Sequence, residues 1–489
     1  MASALHKGDV TMKVGFTERD ITPEPGMERP GGYGKAFHNG NVHDPCKIRA
    51  SVFDDGQNRV AFVGIDTLAV PKILVQNARK GIEKACSISP DAILVGASHS
   101  HSAGPLSMVL PEQFNHASPL VQHLAYEVSS CADPKYMETV ERELVSAVVE
   151  ANEKRVDAKC GIGSGREDKV AFNRRFLMKN GFTCTHPGKC NPDIEKPAGP
   201  TDPEVGVIGA WNAEGKLIGC VVNFACHGTT GPGSTSADWI YYLEQTIRSV
   251  MGEQAIVVFL NGACGDITQV DNLSPYNIDF GERAARYVGT RVGAEAIKVL
   301  VTAEPGELIP VNAQVKVLHI PRRKPSDARL ERALEIVERD PSQVDSTEWT
   351  FAKEVIMLDA LIQKEPVVDV EVQAIQVGPS VFLANPSEFF CQYGLNLKAK
   401  SMFPFTFPVE LANDCVGYVP TEEAMGKQGG GYETRLTAYS NLEVGAGDKI
   451  VNELIDLANG LTPGEVPEPP KIDPVNARWT YGNVLPELS

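Results

Sequence analysis

Positive charge is in short supply: 46 Lys and Arg stand against 63 Asp and Glu, a formal net charge of −17 over 489 residues. Phosphate-rich surfaces are bound by clustered Lys and Arg, and no such cluster stands out, so no nucleic acid or anionic membrane is expected as a partner. Long hydrophobic runs are missing too. None approaches the roughly 20 apolar residues of a membrane span, and the opening Met1 to Val10 lacks the apolar stretch of an export signal. The 11 cysteines are odd in number and follow no repeated spacing, so no disulfide framework is expected. Cys220, Cys226 and Cys264 instead lie in or beside apolar strands, where a reduced thiol packs as a small hydrophobe. Neither an internal repeat nor a low-complexity block is visible. These absences lead to the expectation of a water-soluble, cytoplasmic protein that acts on a small molecule, with a homo-oligomer left open.

What is present suits a large α/β fold, since 42% of the residues are apolar and the length allows one big domain or two ordinary ones. The most informative stretch runs from Ile93 to Pro105, an apolar strand that ends in Ser98-His99-Ser100-His101 and passes into small, turn-forming residues. Side chains alternate along a strand, so His99 and His101 are predicted to point the same way. The carboxyl ends of strands are where open α/β sheets handle ligands, and two imidazoles there suit a metal or a proton-transfer pair.

Along the chain, a strand at residues 12–22 leads into the glycine-rich Gly31-Gly32-Tyr33-Gly34. Val60 to Ile65, a helix from Ile73 to Ala85 and the histidine strand form a β-α-β unit. Pro105 to Pro134, holding His116 and His123, reads as a long loop, and Tyr136 to Asn152 as a helix with Val140, Leu144, Ala147 and Val148 on its buried face. Gly161 to Asp202 reads as irregular. Strands then follow at Val205 to Trp211 and Leu217 to Phe224, the second running into Cys226-His227, and another at Ala255 to Leu260 ends in Gly265-Asp266-Ile267-Thr268. Asp238 is placed to cap the helix between them. A helix at 281–301, a possible smaller lobe at about 305–380, strands at 367–377 and 381–383, a flexible glycine segment at 426–431 and a proline-rich tail at 461–489 complete the reading. The expected architecture is a mixed open sheet flanked by helices with inserted loops.

Single motifs carry limited weight. His227 could be a satisfied core histidine, yet it ends an apolar strand just as His99 does. Asn385-Pro386-Ser387-Glu388 fits a helix capping box as well as a ligand site. The five-residue gap between Cys184 and Cys190 is not a common zinc spacing, which favours a loop. Cys226 and His227, as strand neighbours, face opposite ways and make a poor thiol–imidazole pair.

Taken in order, the motifs resemble the neutral (non-lysosomal) ceramidase family. The matching places are Arg19-Asp20-Ile21-Thr22 with Gly32-Tyr33-Gly34-Lys35, Ser98-His99-Ser100-His101-Ser102 with Gly104-Pro105, Asn223-Phe224-Ala225-Cys226-His227, Gly265-Asp266-Ile267-Thr268, and Pro386-Ser387-Glu388-Phe389 followed by Tyr418-Val419. The resemblance spans most of residues 12–460 and implies the family's catalytic domain alone, without its C-terminal immunoglobulin-like domain. It implies one zinc per chain, held by His99, His227, Glu388 and Tyr418, with His101, Arg174 and Tyr432 around the reacting carbonyl. Asp238 and Asp266 are expected to orient those groups through hydrogen bonds. The chemistry agrees, because imidazoles and a carboxylate suit zinc, zinc brings the pKa of a water toward about 7, and cationic or phenolic donors stabilise an oxyanion.

The expected activity is hydrolysis of an amide bond in a small or polar N-acyl compound by a zinc-activated water. The apolar loops that would hold two lipid chains are not seen. An esterase or lactonase using the same site is the nearest alternative, a non-catalytic binding protein a more distant one, and His and carboxylate ligands would also accept iron or manganese.

Overall fold

The computed structural model describes residues 12–276, 278–471 and 485–489. The opening residues read for an export signal, and positions 472–484 of the proline-rich tail, lie outside the described residues.

Eight strands form the main sheet: β1 (Lys13–Asp20), β2 (Lys47–Asp54), β3 (Arg59–Ile65), β4 (Ile93–Ala97), β5 (Val156–Arg166), β6 (Glu204–Asn212), β7 (Leu217–Phe224) and β8 (Ile256–Asn261). Their order is β8-β7-β6-β5-β1-β2-β3-β4. Only the outer pairs are parallel, β3 with β4 and β7 with β8, and the rest are antiparallel. Parallel neighbours need a crossover. Helix α1 (Lys72–Cys86) supplies the first and α3 (Trp239–Met251) the second, while α2 (Pro134–Glu153) follows β4 and α4 (Glu282–Thr302) follows β8. The same succession, three strands, helix, strand, helix, therefore occurs twice, and the halves join where Lys13 and Val14 meet Asp157 and Val156.

The sheet folds over so that one half faces the other. A Cβ at Gly64 in β3 would stand 2.4 Å from the Phe259 carbonyl oxygen of β8, so the two backbones meet with no side chain between them. Helices α1 and α2 cover one outer face and α3 and α4 the other. Local signals set the helix ends: Asp133 accepts hydrogen bonds from the N–H groups of Lys135 and Tyr136 with Pro134 at the first position, and Asp238 accepts from Trp239 N.

A second, four-stranded sheet contains β9 (Val311–Pro321), β10 (Val367–Val377), β11 (Ser380–Ala384) and β12 (Phe405–Val409) in that order. It locks onto the first through Phe62, Phe382 and Phe407, whose rings follow one another at 4.5 and 5.1 Å. Between β9 and β10 lie α5 (Asp327–Val337) and α6 (Ser346–Lys364), which pack against Val109, Phe114, Val121 and Leu124. Helices α7 (Cys391–Lys400) and α8 (Ala446–Asn459) cover the second sheet. No helix among the described residues is long and apolar enough to cross a membrane.

Three local expectations are corrected. Gly161 to Arg166 is not irregular: it completes the eleven-residue β5, whose alternating Gly161, Gly163 and Gly165 admit Ala303, Val299 and Glu295 at the α4 side so closely that a Cβ would collide or crowd. Residues 105–134 include a short helix, Pro119–His123, followed by a π turn. Asn385 to Glu388 opens no helix. Glu388–Phe389 is a two-residue strand paired with Tyr418–Val419, and α7 begins only at Cys391.

Candidate metal centre

The loop after β4 carries His99 and His101. Strand geometry ends at Ala97, and His99 takes a left-handed backbone with φ +62°. That conformation costs a non-glycine residue roughly 1–3 kcal/mol. It is held by Ser98 N donating to Ile65 O (2.8 Å), Ser100 N to Thr67 O (3.1 Å) and His101 N to Gly228 O (2.9 Å). The two imidazoles thus converge through a turn rather than through strand alternation, with Nε2 atoms 3.2 Å apart and rings at 81°.

His227 enters from the loop after β7, its ring centroid 4.4 Å from that of His99. The nearest ring nitrogens of His99, His101 and His227 all lie within 4.8 Å of one another. Glu388, at the start of its short strand, sends Oε2 to 3.5 Å from His99 Nε2 and 3.3 Å from His227 Nε2. This buried oxygen has no hydrogen-bond donor among the described residues. A carboxylate oxygen left without a donor and facing converging imidazoles suits a divalent cation, and these donors fit zinc and equally iron or manganese.

Outer hydrogen bonds orient the rings. His99 Nδ1 is 2.8 Å from Leu68 O and His101 Nδ1 is 3.1 Å from Gly31 O, so each donates there and presents its Nε2 lone pair inward. His227 Nδ1 lies 3.4 Å from Cys264 Sγ, and that sulfur is 2.8 Å from Glu410 Oε1. Glu410 Oε2 also accepts from Cys264 N and Phe389 N. Cys264 and Glu410 were not singled out from the sequence. The apolar-strand position of the thiol concealed one, and nothing in Pro408-Val409-Glu410 marks the other beyond an acid in an apolar run.

Arg174 fastens a second arc of the site. Its Nη1 is 3.1 Å from His227 Nε2, Nη2 donates to Tyr418 Oη (3.2 Å) and Gly265 O (2.7 Å), and Nε donates to Glu433 Oε1 (2.8 Å). Tyr418 and Tyr432 hydroxyls are 3.2 Å apart, and the Arg174 guanidinium lies over both rings. Tyr418 is the register partner of Glu388. Asp238 does not touch an imidazole: it accepts from Thr230, Gly231 and Trp239 and so pins the loop behind His227, while Trp239 Nε1 donates to the His227 carbonyl (2.9 Å). Asp266 accepts from Asn173 Nδ2 (2.7 Å) and Cys391 N (2.8 Å), and its carbonyl accepts from Arg174 N (2.9 Å). It sets Arg174, not the histidines. The Cys184–Cys190 loop holds two exposed free thiols away from the cluster, and the glycines before Tyr432 are stitched to Thr183 and Arg175.

Electrostatics follow the burial. Burial, reinforced by Arg174 and His99, pushes His227 down to about 3, and burial with the neighbouring His99 and His227 holds His101 well below its usual range. Burial would raise Glu388, but the facing His99 and His227 outweigh it and keep this carboxyl well below the carboxylate range. Burial likewise opposes charge on His99, and Glu388 overcomes it, leaving His99 raised. Burial lifts Glu410 to about 8 and Tyr432 to about 12.

The centre opens into a cavity of about 330 Å3 whose wall includes Tyr33, Leu68, Met108, Phe351 and Tyr439 together with His101, Glu388, Tyr418 and Tyr432. The structure thus gathers every residue that the resemblance implied around this centre, except that Asp238 and Asp266 act on loops.

No protein-family profile and no curated protein matches this chain. Among solved structures it is similar to neutral ceramidase from Pseudomonas aeruginosa, with a TM-score of 0.70 and 18% identity over 94% of this chain and 77% of that one. It is also similar to a ceramidase complexed with C2, with a TM-score of 0.67 and 16% identity over 94% of this chain and 78% of that one. At such identities the likeness is one of fold.

Proposed function

We propose that residues 12–460 form a zinc-dependent hydrolase that cleaves the amide bond of a small or polar N-acyl compound. The observation that carries this reading is the buried Glu388 Oε2, without a hydrogen-bond donor among the described residues, facing His99 and His227 beside a cavity. His99, His227 and Glu388 would hold the ion, with Tyr418 as the fourth ligand. A zinc ion in that set supplies Lewis acidity, polarising a carbonyl and making water nucleophilic near neutral pH.

His101 lines the cavity with its Nε2 facing inward, placed to take the proton released as water attacks and to return it to the leaving nitrogen. Tyr432, a phenol with its proton secured up to about pH 12, donates to the developing oxyanion. Arg174 contributes fixed positive charge and holds Tyr418 in place through Nη2. The enclosed site lowers the local dielectric and strengthens each of these contacts.

Elemental analysis of the purified protein beside a His227→Ala variant tests the reading. About one zinc per chain that disappears in the variant, with cleavage of matched N-acyl amides in preference to esters, is the expected result. A metal-free native protein would overturn it.

A further inference from the structure

Two cavities of about 330 Å3 each meet at His101. They share Gly31, Gly32 and His101 on their walls and are otherwise unlike in chemistry. The first is aromatic and apolar, with Tyr33, Leu68, Phe351 and Tyr439. The second carries Arg29, Ser102, Thr229 and Gly231. Both volumes fall at the low end of the roughly 300–1,000 Å3 of small-molecule sites, enough for one ring-sized group each and too little for two long alkyl chains.

In the first cavity the Tyr33 ring lies 5.6 Å from that of Phe351, and its buried hydroxyl has no hydrogen-bond partner among the described residues. In the second, Arg29 is anchored by its backbone N–H to Ala36 O (2.8 Å) and its side chain is exposed. No carboxylate pairs with it among the described residues, and the adjacent Glu28 is already held by Lys35 at 3.0 Å. In a chain of net charge −17 an unpaired guanidinium beside the centre selects an anion. A single planar fork matches a carboxylate. Of the other cations nearby, Arg174 is held by Glu433 at 2.8 Å, and Arg435 is already stacked on Phe351, with Cζ 3.4 Å from the ring centroid.

We propose that the cavities divide one substrate, an N-acyl amino acid: a compact apolar or aromatic acyl group fills the first, and the carboxylate of the amine portion pairs with Arg29 in the second. This rests on the hydrolase reading given above. The C–N bond breaks, the hydroxyl of water joins the acyl carbon to give a carboxylic acid, and the remaining hydrogen of water goes to nitrogen to release the amino acid.

Isothermal calorimetry on the zinc-loaded protein tests this with an uncleavable ketone, 4-oxo-5-phenylpentanoate, and its neutral primary amide. The carboxylate is expected to bind at least tenfold more tightly. R29Q reduces its affinity to that of the amide, and R435Q keeps the preference. Both arginines are exposed, so neither change reaches the core. Equal affinities, no binding of either ligand at millimolar concentration, a preference that survives R29Q, or one lost in R435Q would each overturn the proposal. Cleavage of N-phenylacetylglycine is assayed in parallel. Binding as expected without cleavage upholds the pocket assignment and rejects the hydrolase reading.

Discussion

Cys264 stands directly behind His227, its sulfur 3.4 Å from Nδ1, so a thiol rather than a carboxylate or carbonyl fixes which nitrogen of this imidazole faces the centre. Glu410, 2.8 Å further on, holds the thiol. Partners of this kind typically contribute 10–100-fold to metal affinity. Cys264→Ala and Glu410→Gln should each weaken zinc binding by about that factor, with Cys264→Ser intermediate, as read by competition with a chromophoric chelator. Unchanged affinity in all three would remove the relay from the account.

Arg174 and Glu433 form a buried ion pair, 3% and 0% exposed. Removing one partner strands the other charge, at a cost of about 3–5 kcal/mol. Arg174→Ala should therefore lower the denaturation midpoint sharply, and Glu433→Gln should do so by less because its amide still accepts from Nε. Denaturant titration of the three proteins decides this.

Tyr432→Phe removes the donor proposed for the oxyanion and none of the proposed ligands. Loss of such a donor commonly costs about 10²–10³ in kcat. The variant should keep its zinc and its KM while kcat falls on that scale. A fall in zinc content would instead make Tyr432 part of the ion's support.

His227 is pushed down to about 3 in the fold, against about 6.5 in an unfolded chain. Below pH 6.5 the unfolded state therefore takes a proton that the folded state refuses, and stability from this group is lost as pH falls toward 3. Metal-free wild type should lose stability from pH 6 to 4 more steeply than His227→Asn by about 1.4 kcal/mol per pH unit. Equal slopes would show that this imidazole is charged in the fold.

Much of the frame was legible because its signals are local. The helices read at 73–85, 136–152 and 281–301 appear at Lys72–Cys86, Pro134–Glu153 and Glu282–Thr302, since apolar spacing and caps reside in adjacent residues. Strand-end histidines were legible for the same reason. β5 was not, because its glycines are explained only by α4, more than a hundred residues away, pressing on them. Glu388 was pointed to by the ordered resemblance and not by its neighbours, because its local sequence imitates a cap while its partner Tyr418 lies thirty residues on. The orienting acids Asp238 and Asp266 stand near the expected place but act on loops, a distinction that only contact distances make.

The duplicated succession of strands and helices lets each half hold one imidazole by a different route. In the first half His99 follows the edge strand β4 and is oriented by Leu68 in the loop after the inner strand β3. In the second half His227 follows the inner strand β7 and is oriented by Cys264 in the loop after the edge strand β8. Presenter and support have exchanged places. The centre is therefore a clasp between two half-sheets that meet backbone to backbone at Gly64 and Phe259. An ion bound there would tie the halves together, and a side chain added at Gly64 would spread His99 from His227 without touching either.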